Sequence, residues 1–147
     1  MSLGNRIAEV ALRGITGAYI LNSGIGKLSL DEDHAKALQG MAATGIPPLA
    51  ELDPKTFGTA LAWSEIAIAG GLLAPFVPRR LAGLGLSAFA GGLLSMYFRN
   101  DKMTESDGIR PTPAGIPLSK DVWLAAIALA LIAATGSGKG PKKVKRG

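Results

Sequence analysis

Long apolar stretches with few charges constrain this chain more than any other feature of its sequence. A helix needs about 20 mostly apolar residues to cross the hydrocarbon core of a bilayer. Four stretches approach this length, at residues 3–24, 56–77, 80–99 and 120–136. Charged residues form only 18% of the chain, against about 25% in ordinary soluble domains. The sequence therefore predicts an all-α protein, a bundle of four transmembrane helices.

Helix-start signals lie between the first and second stretches. Asp53 followed by Pro54 is typical of an N-cap and a first helical residue, and it predicts the start of the second span. Ser29 and Glu32 have the spacing of a capping box. This pattern predicts a short amphipathic helix at about 30–43, lying on the outer membrane surface.

The chain thus divides into a four-helix transmembrane domain at 1–136 and a basic tail at 137–147. A secretory signal peptide is the competing interpretation of the first stretch. Signal peptides have an uninterrupted apolar core followed by a small-residue cleavage site. Arg13 interrupts the apolar core here, and no such site follows. The first stretch is therefore interpreted as a retained span.

Basic residues are distributed unequally between the two sides that four spans would create. One side would collect both termini and the turn at 75–80, with nine basic residues and one acidic residue. The other side would carry seven basic and nine acidic residues. Because lysine and arginine are enriched in cytoplasmic segments, the sequence predicts a multi-pass membrane protein with both termini in the cytoplasm.

The tail carries a basic cluster that consists of Lys142, Lys143, Lys145 and Arg146. A short basic run of this kind also resembles a nuclear localisation signal. After an apolar span, contact with anionic lipid at the cytoplasmic surface is the better interpretation. The pI of about 9.8 is then explained by topology, and no nucleic acid is expected as a partner.

Small residues recur at every fourth position of the third span, at Gly83, Ser87, Gly91 and Ser95. Small side chains let helices approach closely in lipid. Two interpretations stay open: this stripe packs against other helices of the same chain, or it faces another membrane protein subunit.

Arg13 and Glu65 are the charged residues placed within or near the hydrocarbon core. A rise of about 1.5 Å per residue puts both near mid-depth on adjacent antiparallel helices. Charges in this environment are costly, so they are usually paired or functional. The sequence predicts a buried ion pair between Arg13 and Glu65. This pair either fixes the packing of two helices or provides a polar site for a quinone head group or a proton.

Patterns typical of catalytic and metal-binding sites are lacking in the sequence. There is no Cys, and the single His, His34, lies among acidic residues. One helical turn offers too few ligands for a metal site, so we expect an exposed His34. The sequence has no phosphate-binding loop, Ser/His/Asp triad or zinc motif. We predict no catalytic residue, metal or cofactor, and we do not expect an enzyme.

Several short motifs resemble those of the DoxX-like family of small four-helix bacterial membrane proteins. They are R-x3-G-x6-G-x2-K-L from Arg13, Gly45-Ile46-Pro47, Ser64-Glu65, Gly70-Gly71 and Arg80. Two further stretches, at 106–111 and 118–123, resemble an actinobacterial branch. The resemblance covers most of residues 10–100 and implies a four-helix protein of the bacterial plasma membrane. The family is named for a small subunit of an archaeal thiosulfate:quinone oxidoreductase, and some members are membrane partners of larger assemblies.

Three functions are compatible with these features. The leading one is a non-catalytic accessory subunit of a larger cell-envelope complex, with a lipid-import transporter as one candidate host. The alternative is a quinone-interacting or anchor subunit of a membrane oxidoreductase, which requires an apolar pocket near Arg13, Glu65 or Tyr19. A small transporter ranks last, because four spans enclose little space. The expected partners are the lipid bilayer and other membrane subunits, with a quinone or a lipid as candidate ligand.

Overall fold

A computed structural model describes residues 2–134 of the chain, and within this range it is helical, with connecting loops and one isolated β-bridge. The helices, in chain order, are α1 (Leu3–Lys27), α2 (Glu32–Gly45), a 3₁₀ helix (Pro47–Glu51), α3 (Pro54–Leu73), α4 (Arg79–Phe98), α5 (Ile116–Ser119) and α6 (Val122–Ala133). The all-α prediction is confirmed for this part of the chain. The basic cluster of the tail lies outside the described residues.

Three helical segments are long and apolar enough to cross a membrane, namely Pro54–Leu73, Arg79–Phe98 and Ile116–Ala133. They are compatible with a membrane protein. The first predicted span corresponds to α1, which has 25 residues but is not among these three. Its charged residues, Arg6, Glu9, Arg13 and Lys27, lower its apolar character. The second span starts at Pro54, where the Asp53 side chain accepts a hydrogen bond from the Thr56 N–H as an N-cap.

The long helices pack as two antiparallel pairs, α1 with α3 and α4 with α6. Glycines permit the close approach within each pair. A Cβ atom added to Gly24 would lie 3.0 Å from both the Ala62 carbonyl oxygen and Cβ of Glu65. A Cβ atom on Gly83 would lie 3.0 Å from the Ala128 carbonyl oxygen. Small residues therefore perform the packing role that they have in membrane bundles.

The two pairs meet in a small core, while much of the outer surface is apolar. The buried core residues are Ile20, Ala69, Leu72, Ala82, Leu86, Ala128 and Leu131. Large apolar side chains such as Ile15, Trp63 and Leu129 are more than half exposed. Helices that are apolar on all sides are typical of membrane spans.

The bundle has two chemically different ends. We call the end with the start of α1, the 74–78 turn and the end of α6 the terminal end. The opposite end, with α2, the 3₁₀ helix and the 99–115 loop, is the loop end. In the 99–115 loop, Gly108 has a φ of 70°, a conformation that glycine adopts without steric cost.

The amphipathic helix differs from its prediction in its cap and its bounds. Its N-cap is Asp31, whose carboxylate accepts the His34 N–H, whereas the Ser29 hydroxyl donates to the Gly26 carbonyl. Asp31 is the N-cap because an ionised carboxylate is a stronger hydrogen-bond acceptor than a hydroxyl. The helix runs from 32 to 45 and packs against α3 and α4, where Gln39 is buried. It is thus an integral part of the fold.

Side-chain bonds to carbonyl groups hold the loop end together. Gln39 donates from Nε2 to the carbonyl oxygens of Leu49 and Leu52, at 2.8 and 2.6 Å. Arg99 donates to the carbonyl of Gly45, at the end of α2, over 2.9 Å. The Tyr97 hydroxyl donates to the Ile109 carbonyl over 2.6 Å. These bonds join α2, the 3₁₀ helix and the 99–115 loop to the bundle.

Candidate functional site

The prediction of an Arg13–Glu65 ion pair is wrong, because the structure gives each charge a different partner. Arg13 donates from Nε to the Leu72 carbonyl over 2.7 Å, and from Nη2 to the carbonyls of Gly71 and Ala74 over 3.0 and 2.7 Å. Its Nη1 lies 3.2 Å from a carboxylate oxygen of Glu9, one turn earlier in α1. The guanidinium group is therefore satisfied at the terminal end.

The end of α3 explains this choice of partners. The last carbonyl groups of a helix have no partner within the helix, and this end carries partial negative charge that favours a cation. Arg13 lies level with Gly71–Ala74, whereas Glu65 lies level with Gly24, farther along α1. The sequence placed Arg13 and Glu65 at the same depth by counting residues from approximate span ends. The actual heights depend on the register in which α1 contacts α3, which that count does not include.

Glu65 pairs instead with Lys27, the last residue of α1. The Lys27 ammonium nitrogen lies 3.0 Å from Oε2 of Glu65 and 2.6 Å from the Ser23 hydroxyl oxygen. The Glu65 side chain is 5% exposed and the Lys27 side chain 20% exposed. This pair joins α1 to α3 at the loop-end side of the bundle.

A cavity of about 410 Å³ adjoins this pair. Residues of all six α-helices and of the 3₁₀ helix line it, and most of them are apolar, including Met41, Phe57 and Phe89. The polar side chains on its wall are Tyr19, Ser23, Lys27, Glu65 and Asp121. Ligand sites typically combine an apolar lining with a few convergent polar groups, so we take this cavity as the candidate functional site.

Two carboxylate groups on the cavity wall retain hydrogen-bonding capacity. Lys27 contacts only Oε2 of Glu65. Every buried side-chain nitrogen and oxygen in the described part of the chain has a hydrogen-bond partner. No hydrogen bond within residues 2–134 reaches Oε1 of Glu65, so this atom cannot be one of the fully buried ones. Because Glu65 lines the cavity, Oε1 is accessible from it. Asp121, at the start of α6, makes no capping hydrogen bond with its side chain.

The small-residue stripe of α4 serves more than one surface. Gly83 contacts α6, and Gly45 at the end of α2 packs against Ser95. Ser87 is partly exposed, and Gly91 is exposed with nothing within 4 Å of an added Cβ. The two ends of the stripe therefore pack within the chain. The neighbouring Gly92 has the same free space and also lines the cavity.

Outside the bundle, exposed charges form local pairs. His34 is exposed, and its Nδ1 lies 2.7 Å from a carboxylate oxygen of Asp31. The Arg110 side chain and two backbone N–H groups donate to Asp107 and lower the pKa of its carboxyl group to about 2. Among residues 2–134, no group of three or more His, Cys, Asp and Glu side chains is arranged to hold a metal ion.

The partner of Glu65 was missed, although a signal for it exists in the sequence. The α1 residues that face α3 include Arg13, Gly17, Ile20, Gly24 and Lys27. Their alternating spacing of three and four residues is the pattern of one helix face in contact with a partner helix. That pattern places Lys27 on the same face as Arg13 and thus makes it a candidate partner for Glu65.

Comparison of the chain with protein-family models, curated proteins and solved structures finds no match.

Proposed function

We propose that this protein is a four-span membrane protein that holds a lipid-soluble ligand in its loop-end cavity. The cavity beside the Lys27–Glu65 pair is the observation that carries this proposal. Its volume of about 410 Å³ lies within the range of about 300–1,000 Å³ that is typical of small-molecule sites. The alternative function predicted from sequence requires such a pocket near Glu65 or Tyr19, and both residues line it.

The helix α1 is the proposed fourth span. It packs antiparallel along α3, which is itself long and apolar enough to cross a membrane. Its charges at Glu9, Arg13 and Lys27 are compensated inside the protein, since Arg13 binds three carbonyl groups and Glu9, and Lys27 binds Glu65. Paired charges that face the bundle interior are the form in which ionisable residues occur in membranes.

The proposed orientation puts the terminal end in the cytoplasm of a bacterial cell, at the plasma membrane. Arg6, Arg13, Arg79 and Arg80 lie at this end, with Glu9 as the acidic residue. The loop end carries acidic and basic residues in similar numbers. The positive-inside rule favours this orientation, and the ligand cavity then opens in the outer half of the membrane.

A cavity-filling substitution tests the ligand proposal. Gly92→Phe adds a large side chain on the cavity wall, at a position where an added Cβ has nothing within 4 Å. Gly91→Phe is the matched control, since its Cβ is equally free and Gly91 does not line the cavity. In phosphatidylcholine vesicles, a photoactivatable hydrocarbon should label cavity residues in the wild type and in Gly91→Phe. It should label them much less in Gly92→Phe. Equal labelling of all three proteins would contradict the proposal.

An accessory subunit of a larger envelope complex is the second proposed function, and the two functions are compatible. Apolar side chains are exposed at the loop end outside the candidate spans, including Ile109 at 72% and Leu52 at 42%. A partner subunit that covered these side chains would remove their apolar surface from water. The proposed relationship to DoxX-like proteins, some of which act within larger assemblies, supports the same function.

Purification in a mild detergent tests the accessory function. A stoichiometric partner should co-purify with the wild type, and Ile109→Asp combined with Leu52→Asp should release it. Ile15→Asn, which changes the lipid-facing surface of α1, is the control and should retain the partner. A homogeneous monomer without a partner would contradict this second function.

A further inference from the structure

We propose that the cavity selects ligands whose head group donates hydrogen bonds and carries no negative charge, namely long-chain amines and alcohols. This inference rests on the proposed ligand-binding function and specifies its chemical class. It follows from the open carboxylate oxygens on the cavity wall and from the net negative charge of the wall.

Two of the three N–H donors of the Lys27 ammonium group are already engaged. Lys27 donates to the Ser23 hydroxyl and to Oε2 of Glu65, at 2.6 and 3.0 Å. A ligand that only accepts hydrogen bonds could use the third N–H, but it would leave the free oxygens of Glu65 and Asp121 without a donor.

The acceptors on the wall are open. Oε1 of Glu65 faces the cavity from a side chain that is 95% buried, and Asp121 brings a second carboxylate. A donor head group satisfies these oxygens without disturbing Lys27. Hydrogen bonds to a charged acceptor are about twice as strong as neutral ones.

The charge of the wall gives the same preference. Glu65 and Asp121 face a single basic residue, Lys27, so the lining has one more acidic than basic side chain. A phosphate, sulfonate or carboxylate head group would face this net negative charge in an apolar environment, where like charges repel more strongly than in water. The apolar remainder of the lining, which includes Leu38, Leu93 and Leu124, suits an alkyl chain.

Photolabelling with a head-group series tests this selectivity. The probes are diazirine-bearing hexadecyl chains that end in an ammonium, a hydroxyl or a sulfonate group, each in phosphatidylcholine vesicles. Labelling of cavity residues is divided by labelling around Trp63, which is 57% exposed on α3 and does not line the cavity. We expect about tenfold more cavity labelling with the amine and the alcohol than with the sulfonate, as a lost charge-assisted bond would give.

Two variants assign the selectivity to the carboxylates. Asp121→Asn and Glu65→Gln should each reduce the preference for the amine over the sulfonate. Asp121→Asn keeps the test valid if Glu65→Gln fails to fold, because the Asp121 side chain caps no helix. Glu51→Gln is the control, since Glu51 is exposed at the loop end and does not line the cavity.

The outcomes separate this inference from the function on which it rests. Equal cavity labelling by all three head groups, or unchanged selectivity in both cavity variants, would overturn the inference while the function stands. If the headless hydrocarbon also fails to label the cavity, both are wrong. Labelling that favours the sulfonate would contradict the inference directly.

Discussion

The two ends of the bundle each hold a basic side chain of α1 against α3, but in opposite ways. At the terminal end, Arg13 is 8% exposed and its guanidinium binds three carbonyl groups and Glu9. At the loop end, Lys27 binds Glu65 beside a cavity, and one oxygen of Glu65 stays open to it. A fully satisfied charge stabilises the fold, whereas a partly satisfied pair at a cavity can still bind a ligand.

The largest expected effect comes from removing Arg13. Arg13→Met leaves three carbonyl oxygens without their donor, and each loss of this kind costs about 1–3 kcal/mol in a buried site. Because water partly replaces the lost bonds, we expect the free energy of unfolding in detergent micelles to fall by about 2–4 kcal/mol. Arg6→Met, at an exposed position of the same helix, should change it little. A stability loss equal to that of Arg6→Met would remove the contrast between the two ends.

Arg13→Lys sharpens the same contrast. A lysine carries the charge but not the planar fork of donors that reaches several acceptors at once. We therefore expect Arg13→Lys to recover less than half of the stability lost in Arg13→Met, measured by the same unfolding assay. Full recovery would show that charge alone, and not the carbonyl contacts, matters at the terminal end.

The close contact of α1 with α3 at Gly17 should have the next largest effect on the free energy of unfolding. A Cβ on Gly17 would lie 2.8 Å from Cγ of Leu73, whereas Gly14 has nothing within 4 Å. Gly17→Val should destabilise the protein by about 1–3 kcal/mol through overpacking. Gly14→Val is the matched control on the same helix and should be close to neutral. Equal effects would argue that α1 does not pack on α3 through this face.

Removing Lys27 from the loop-end pair should lower the free energy of unfolding less than removing Arg13. Lys27→Met leaves a carboxylate that can reach the cavity, so we expect a loss of about 1–2 kcal/mol, below the range for a fully buried pair. The double variant Lys27→Met/Glu65→Met should be more stable than the single one, because apolar replacements of a buried pair are often neutral. A double-mutant cycle in micelles measures this coupling, and an additive result would contradict it.

The smallest effect should come from the exposed loop. Because its folded pKa of about 2 lies below the ordinary value, ionised Asp107 stabilises the loop above about pH 4. This contribution is lost as the pH falls from about 4 to 2. Hydrogen exchange of residues 104–111 should speed up over this range in the wild type, and Asp107→Asn should abolish the change. Cavity labelling should be the same in both proteins. If Asp107→Asn changed both hydrogen exchange and cavity labelling, the loop would be coupled to the cavity.

Much of the fold could be predicted from local sequence signals. The Asp53–Pro54 start of α3 follows from capping chemistry, which involves adjacent residues alone. The boundaries of α4 were also close, because an apolar run ends where charges and prolines begin. By contrast, the capping box at Ser29 was wrong, since Asp31 supplied a stronger acceptor two residues later.

The candidate site was predicted only in part. Glu65 was identified from its cost in an apolar span, and this reasoning needs no structure. Its partner depended on how far α1 slides along α3, a quantity that composition and span length do not define. Asp121 and the α2 residue Met41 were also missed as cavity-lining residues, because they are far from Glu65 in sequence.

The sequence by itself determined which segments form helices and where charges are rare, because both depend on neighbouring residues and on transfer from water. Tertiary structure decided the partner of each charge and the existence of the cavity. Close approach at Gly17 and Gly24 sets the register of α1 against α3, and that register brings Arg13 to the end of α3 and Lys27 to Glu65. The cavity is the space left beside that pair between the six α-helices and the 3₁₀ helix. Its shape therefore depends on the positions of all of them.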